Sequence, residues 1–306
     1  MFLDNIFMGI DIELRKILFG IKCLVGIKFP VGISIDVTYK CNLKCKHCYF
    51  LQQNHQNELD DKSLLNEIKK VKKRYKSIVH ASWVGGEPLL RKNVVKEGMK
   101  NFPLNMIVTN GSIELPKWKN CVFNVSVDGT KKYYEKIRGL KIYEIVKQNA
   151  DRNDIHVNVA CVLNKKNYRC IEDLLKEWKK TRVKGIIFDF YTPIKGIKED
   201  LWINWKERDK IIDKLLRLKK IYGSFILNSE PVLELMKSKN SRKISQNCIL
   251  QRAVISLDPM GNQKLPCVMG DKADCSRCGC VVPFYIESIM VKKQIKSFFS
   301  ARKLFS

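Results

Sequence analysis

The sequence contains no uninterrupted apolar run of about eighteen residues, the length that a membrane-spanning helix needs. The N-terminal segment, residues 1–30, is rich in apolar side chains, but charged residues interrupt it from Asp4 to Lys28. A secretory signal would have an uncharged core and a cleavage site with small residues, and this segment has neither. We therefore expect a cytoplasmic protein.

Acidic residues are few beside basic ones, 31 against 57, which gives a formal net charge of +26. Such a field attracts nucleic acids, anionic membranes or acidic proteins. The lysines, however, are spread over predicted helix faces and form no arginine-rich stripe with aromatic residues. A basic proteome would produce the same bias, so the charge alone gives no firm evidence of nucleic-acid binding.

A fourth cysteine is missing from the densest cysteine cluster. Cys41, Cys45 and Cys48 lie within one short loop, whereas structural zinc sites and ferredoxin clusters have four protein ligands. Three ligands in one loop therefore predict a metal centre with an open coordination position. A zinc site that also uses His47 is the alternative that the residues leave open. Cysteines at ligand spacing in a chain of this length predict metal binding in a reducing compartment rather than disulfides.

Short β-branched segments alternate with amphipathic helices from residue 31 onward. The predicted strands are 31–38, 78–84, 105–109, 121–127, 156–163 and 185–191, and the main predicted helices are 60–74, 91–101, 168–182 and 205–222. Apolar strands that alternate with helices predict an α/β fold with a parallel sheet and helices outside it. The cysteine loop and the polar motifs that follow other strands would then lie at one edge of the sheet.

Three motifs occur in order at these strand ends. They are Cys-x3-Cys-x2-Cys followed by Tyr49, Gly-Gly-Glu-Pro at 85–88, and Ser-Val-Asp-Gly at 126–129 with Arg138-Gly139. Together they resemble the radical S-adenosylmethionine (radical SAM) superfamily. The resemblance implies a partial (β/α)6 TIM barrel at 31–225. We place an amphipathic segment at 1–30 before it, a cysteine-rich extension at 226–285 after it, and a basic amphipathic tail at 286–306.

The resemblance implies that Cys41, Cys45 and Cys48 bind three irons of a [4Fe–4S] cluster and that SAM binds the fourth. Reductive cleavage of SAM would give a 5′-deoxyadenosyl radical that removes hydrogen from an unactivated carbon. Gly85 and Gly86 would allow close approach of the SAM amino group. Glu87 would accept a hydrogen bond from that group and, as a loop residue, contribute little to stability. Further cofactor contacts are expected from Tyr49, Pro88, Thr109, Asn110, Ser126, Asp128 and Asn164.

A second cysteine group lies in the C-terminal third of the chain. Its members are Cys248, Cys267, Cys275, Cys278 and Cys280. The sequence between them predicts a strand, a turn and a strand, which is similar to the one-cluster "twitch" extension of radical SAM enzymes; the longer SPASM form needs more cysteines. We predict an auxiliary [4Fe–4S] cluster on four of them, with Cys280 spare or substituting. A structural zinc knuckle is the alternative.

The substrate is predicted less directly. The segment 1–30 has one apolar helical face, and the C-terminal end mixes Phe, Leu and Ile with basic residues, as in helices that lie on anionic membranes. The cysteine-rich end also resembles radical SAM enzymes that act on polyprenoid lipids. We therefore predict carbon–carbon bond formation on an isoprenoid lipid. A peptide or protein maturase and a nucleic-acid-modifying enzyme with a zinc knuckle are the alternatives. An acidic flavodoxin or ferredoxin is the expected electron donor.

Overall fold

The computed structural model describes residues 30–51, 57–198 and 200–304. Within them, seven parallel strands form one sheet in the order β6-β5-β4-β3-β2-β1-β7. The strands are β1 (Gly32–Asp36), β2 (His80–Val84), β3 (Leu104–Thr109), β4 (Cys121–Ser126), β5 (Val157–Leu163), β6 (Ile186–Phe190) and β7 (Val254–Leu257). The sheet curls into a half-barrel with helices, which confirms the predicted α/β partial barrel.

The helices follow the strands along the chain. They are α1 (Asp61–Arg74), α2 (Lys92–Met99), α3 (Lys131–Arg138), α4 (Tyr143–Ala150), α5 (Ile171–Trp178), α6 (Trp205–Tyr222), α7 (Glu230–Met236), α8 (Ser238–Gln246), α9 (Leu250–Ala253), α10 (Val282–Ile286) and α11 (Ile295–Lys303). Asp60 and Asn204 cap α1 and α6 by accepting hydrogen bonds from backbone N–H groups of the first turn. None of these helices is long and apolar enough to cross a membrane.

Two helix predictions need correction. The helix predicted at 168–182 begins as a 3-10 turn (Tyr168–Cys170) and ends at Trp178. The helices α3 and α4, between β4 and β5, were not predicted from the sequence. The predicted amphipathic segment 1–30 lies outside the described residues, except for its last residue, Pro30.

The outer face of the sheet is apolar. Side chains alternate between the two faces of a strand, and the outward set, such as Ile33, Ile35, Trp83, Phe123 and Phe188, is fully buried in the main hydrophobic core. Each such side chain contributes about 1.5–3 kcal/mol by leaving water. This layer fixes the strands, so that their C-terminal ends carry the loops of the site.

The inner face of the sheet is more polar and more open. Side chains that alternate with the core set and have polar groups are Ser34, Asp36, Ser82, Asn124, Ser126, Asn158, Asp189 and Ser256. Ser82, Ser126 and Asp189 among them are half-buried rather than buried. The same face also carries apolar side chains such as Val84, Met106, Val108, Val162 and Ile187. The half-barrel therefore encloses an interior of mixed polarity that solvent reaches.

The cysteine-rich segment connects the two edges of the sheet. β7 pairs in parallel with β1, so the first predicted strand of the extension belongs to the main sheet. The second predicted strand makes only an isolated bridge, Leu257 with Gln263. The chain then reaches the region after β6, where the Lys195 N–H donates to the Lys272 carbonyl at 2.7 Å and the Phe190 N–H to the Gly279 carbonyl at 3.0 Å. The C-terminal cysteines thus lie across the open side of the half-barrel.

Candidate active site

The cysteine loop directly follows β1, and its sulfurs accept backbone hydrogen bonds. The Leu43 N–H lies 3.4 Å from the Cys41 sulfur, and the Leu51 N–H lies 3.5 Å from the Cys48 sulfur. All three cysteines are half-buried. A loop that turns its N–H groups toward its own sulfurs is suited to hold them as thiolates.

Two side chains, one just after β3 and one at the end of α3, also point at these sulfurs. Asn110 Nδ2 lies 3.9 Å from the Cys41 sulfur, and Arg138 Nη1 lies 3.9 Å from the Cys45 sulfur. Thiolates with weak N–H···S donors are the ligand set of an iron–sulfur cluster. Among the described residues, no three His, Cys, Asp or Glu side chains are arranged as ligands of a single metal ion. The residues present fit the predicted cluster.

Two thiols of the loop, Cys41 and Cys45, resist ionisation. Burial raises the pKa of Cys45 to about 11, although the Arg138 charge opposes the shift. Burial likewise raises the pKa of Cys41. These groups therefore become thiolates only when a metal displaces their protons.

Asp128 connects the cysteine loop to the end of β4. Its Oδ2 lies 2.7 Å from Arg138 Nη2 and 3.1 Å from His47 Nε2, and its Oδ1 accepts the Val162 N–H at 2.8 Å. Burial would raise the pKa of this carboxyl, but the charges of Arg138 and His47 outweigh burial and hold the pKa well below its usual range. Asp128 thereby orients Arg138 toward Cys45. It is 0% exposed, which counts against the predicted contact with SAM.

Gly85 and Gly86 pack directly on the backbone of the cysteine loop. A Cβ on Gly86 would lie 2.1 Å from the Lys40 carbonyl oxygen, and Gly85 has a φ of +123°. The Gly86 N–H donates to the Thr38 carbonyl at 2.8 Å, and the Glu87 N–H donates to the Lys40 carbonyl at 2.9 Å. Glycine is therefore needed here for the approach of one loop to another. The predicted approach to SAM stays a prediction.

Glu87 is buried beneath this turn. Its Oε1 accepts from the Thr109 hydroxyl at 2.8 Å and from the Leu89 N–H at 3.1 Å, and its Oε2 accepts from the Asn110 N–H at 2.8 Å. Burial raises the pKa of Glu87, although these hydrogen bonds oppose the shift. Burial and three accepted hydrogen bonds instead predict that Glu87 contributes to stability. The predicted hydrogen bond from the SAM amino group would be a fourth one to the Glu87 carboxylate.

The other predicted cofactor contacts fall into two groups. Pro88 and Asn164 are buried: Pro88 begins a 3-10 turn (Pro88–Arg91), and the Asn164 side chain accepts the Lys166 N–H at 2.9 Å. Ser126 is half-buried on the inner face, where a ligand could reach it. Thr109 and Asn110 act through the bonds to Glu87 and Cys41 described above. Their roles toward SAM stay predictions.

Tyr49 lies between the two cysteine groups. Burial raises its pKa well above the usual value, and charges at Asp36, Cys48, Cys267 and Cys280 add to the shift. The side chain is therefore close to members of both groups. The Lys264 ammonium lies 5.9 Å from the centre of the Tyr49 ring.

The C-terminal cysteines come together from distant parts of the chain. Burial raises the pKa of Cys248 to about 12, and charges at Cys278, Cys267 and Cys275 add to it. Burial raises the pKa of Cys267 to about 11, again with Cys278 and Cys275 adding. For Cys280, the largest charge effect after burial comes from Asp189. Charges at Cys278 and Cys267 also act on Cys280, so all five thiols share one neighbourhood, with Cys280 nearest to Asp189 in effect.

An ion pair at the C-terminal end of β1 was missed in the sequence. Lys264 Nζ lies 2.5 Å from Asp36 Oδ2, and their side chains are 11% and 1% exposed. Within the part of the chain that the structure describes, Asp36 Oδ1 has no hydrogen-bond partner. Burial raises the pKa of Asp36 to about 6, although the charge and the hydrogen bond of Lys264 act to lower it. An aspartate inside an apolar strand was the available signal, but its partner is far away in sequence.

Comparisons with known proteins define the class of this enzyme. The model of the Radical SAM superfamily matches residues 35–204, so the chain belongs to that superfamily and is a radical SAM enzyme. That membership implies a [4Fe–4S] cluster and SAM as cofactors, which fits the cysteine loop.

Two relatives and two solved structures show how far the likeness extends. The chain is 31% identical over 182 residues to Fe-coproporphyrin III synthase of Methanosarcina barkeri, a match that covers 51% of this chain and 43% of the relative. It is 26% identical over 209 residues to an uncharacterized protein of Methanocaldococcus jannaschii, covering 60% of this chain and 71% of the relative. The chain thus spans less than half the length of the first of these relatives.

The solved structures share the fold at low sequence identity. Native anSMEcpe with bound AdoMet and the Cp18Cys peptide has a TM-score of 0.61 and 19% identity, covering 88% of this chain and 84% of that one. SuiB of Streptococcus suis bound to the precursor peptide SuiA has a TM-score of 0.60 and 15% identity, covering 92% and 70%. These likenesses establish the partial barrel.

Proposed function

We propose that this radical SAM enzyme modifies a peptide that binds against the inner face of the half-barrel, between the two cysteine groups. The observation that carries the proposal is the buried Asp36–Lys264 pair on that face, with one carboxylate oxygen unpartnered. When bound, the [4Fe–4S] cluster and SAM supply a radical able to remove hydrogen from an unactivated carbon.

The charged and polar side chains on the inner face suit a peptide better than a hydrocarbon. Asp36 Oδ1 can accept a hydrogen bond from an amide or ammonium group, and Lys264 can attract a carboxylate. A site built for an isoprenoid chain would be lined mainly by apolar side chains. The two solved structures described above contain peptides on the same architecture, which supports this proposal.

We further propose that Cys248, Cys267, Cys275 and Cys278 bind a second iron–sulfur cluster. Support comes from the mutual charge effects among these four cysteines and from their position across the open side of the half-barrel. Four thiolates complete the ligand set of a [4Fe–4S] cluster. Cys280, beside Asp189, is then left over from the ligands.

An isoprenoid lipid, with formation of a carbon–carbon bond, is the second candidate. The observation that favours it is on α11, where Ile295 and Phe299, four residues apart, are 59% and 56% exposed beside basic residues such as Lys296. An exposed apolar face with lysines is typical of helices at an anionic membrane surface.

One experiment separates the two candidates. Peptide and lipid fractions from a strain lacking the gene are incubated with the reconstituted enzyme, SAM and reductant, and masses are compared before and after. We expect a mass change in the peptide fraction. Its rate should fall at least tenfold in the Lys264→Met variant. The control variant Lys272→Met, at an exposed site, should leave the rate unchanged. The variant with Cys41, Cys45 and Cys48 all replaced by Ala should give no change. A mass change confined to the lipid fraction would overturn the peptide proposal.

A further inference from the structure

Arg208, on α6, is an almost completely buried guanidinium, 1% exposed, beside the C-terminal cysteines. Its Nη1 donates to the Cys278 carbonyl oxygen at 2.6 Å. Its guanidinium carbon lies 4.5 Å from the centre of the Phe190 ring and 4.9 Å from that of Trp205. The aromatic rings and the carbonyl hold the group in place without neutralising its charge.

Arg208 forms no ion pair with a carboxylate in the described part of the chain, although the charges of Asp209 and Asp189 act on it from a greater distance. No carboxylate there lies within ion-pair distance of it, and its Nε and Nη2 have no hydrogen-bond partner. Arg138, at the first cysteine group, is by contrast paired with Asp128 at 2.7 Å. A buried charge without a partner is costly, which indicates that an anion belongs next to Arg208.

Two buried hydroxyls lie on α8, the helix that packs against the turn beginning at Cys275. Ser241 and Ser245 are 0% and 4% exposed, and neither hydroxyl has a hydrogen-bond partner among the described residues. They are four residues apart and so share one face of the helix. Helix α8 packs against α6 and against the turn Cys275–Arg277. Unpaired buried donors are rare in native proteins and point to a missing acceptor.

We propose that Arg208 is the charge-neutralising donor to an iron–sulfur cluster on the C-terminal cysteines, with Ser241 and Ser245 as further donors to its sulfurs. This inference rests on the second cluster of the proposed function. The negative charge of four thiolates exceeds the positive charge of the iron–sulfur core, so the cluster with its ligands is anionic. Reduction makes it more negative. The fixed charge of Arg208 favours the reduced form and raises the reduction potential of the cluster. Arg208 is a positioning and tuning residue, because it acts through the cluster.

The test measures the potential of the second cluster alone. In protein whose Cys41, Cys45 and Cys48 are replaced by Ala, we determine iron and zinc per chain and titrate the remaining cluster by electron paramagnetic resonance. Arg208→Gln should shift the reduction equilibrium at least tenfold toward the oxidised form, about 59 mV for one electron. Arg208→Lys, which keeps the charge, should shift it less than threefold. The matched control Arg242→Gln removes an exposed guanidinium 5.4 Å from the Trp205 ring and should leave it unchanged.

The outcomes separate this inference from the second cluster itself. A parent protein that binds zinc, or no iron, would overturn both. A parent that binds iron, with the same potential in Arg208→Gln as in Arg242→Gln, would overturn only the role of Arg208. If neither Arg208 variant folds, Ser245→Ala decides: a shift of about threefold or more toward the oxidised form supports the donor shell, and an unchanged potential overturns it.

Discussion

At the scale of single residues, Glu87 has the most demanding environment near the cysteine loop. It is 0% exposed and accepts hydrogen bonds from Leu89, Thr109 and Asn110. Two of these donors belong to the end of β3, so the carboxylate joins the ends of β2 and β3. Removing it would leave buried donors unpaired, which costs more than the loss of the bonds themselves.

We expect Glu87→Ala to lower the free energy of unfolding by about 3 kcal/mol, because the Thr109 hydroxyl and the Asn110 N–H lose their acceptor. Glu87→Gln keeps an acceptor oxygen and should cost roughly half as much. Thermal unfolding of the reconstituted protein measures both. The exposed control Glu97→Ala, which removes an ion pair with Lys100, should change nothing measurable. Equal melting temperatures for Glu87→Ala and Glu97→Ala would contradict this account.

At the scale of elements, the turn at 85–88 and the cysteine loop support each other by backbone contact. The closest approach is at Gly86, where two backbone hydrogen bonds bracket the contact with Lys40. No flexible side chain lies between them that could move away. The position of the cysteines therefore depends on a residue that has no side chain.

Gly86→Ala should displace the cysteine loop, because its Cβ would lie 2.1 Å from a backbone oxygen. We expect a loss of about 3 kcal/mol in stability and at least a twofold loss of iron from the first site. Iron analysis and thermal unfolding measure these. Gly32→Ala is the control, since its nearest contacts would be at 3.6 and 3.7 Å, and it should change stability by less than ~1 kcal/mol. Full iron content in Gly86→Ala would refute the proposed backbone contact.

The same scale shows what the sequence could and could not predict. Strands β1 to β6 were predictable because each is a short apolar run with local turn signals, and the cysteine loop because its spacing is local. The place of β7 in the main sheet was not predictable, since its pairing with β1 joins positions more than two hundred residues apart, from Gly32 with Val254 to Ile35 with Leu257. The Asp36–Lys264 pair was missed for the same reason. Asp128 and Arg138 are only ten residues apart, but their pairing was missed because the fold turns α3 back toward the end of β4.

At the scale of the whole molecule, the net charge of +26 dominates long-range interactions. Charged proteins that meet transiently associate at rates set by electrostatic steering, which salt screens. We propose that an acidic flavodoxin or ferredoxin delivers the electron, because its negative charge would be attracted by the positive charge of this protein.

Reduction of the protein by an acidic flavodoxin should slow at least tenfold between about 50 mM and 500 mM salt, because the Debye length falls well below the distance over which the charges steer. Stopped-flow absorption of the cluster measures the rate. Reduction by an uncharged small reductant is the control and should not depend on salt. If the rate of reduction by flavodoxin did not change with ionic strength, docking would not depend on the net charge.

The closure of the half-barrel by the cysteine-rich segment also sets an order of events during synthesis. The ribosome releases Cys41, Cys45 and Cys48 long before it releases β7 and the residues that pair with Phe190. Until then, within the described part of the chain, β1 is an uncovered edge strand, and such edges invite wrong pairings. The nascent chain therefore passes through a stage in which the first cysteine group is open to iron delivery and the sheet is most exposed to aggregation. The exposure of β1 ends when β7 pairs with it, and the half-barrel closes later, when the segment around Gly279 reaches Phe190.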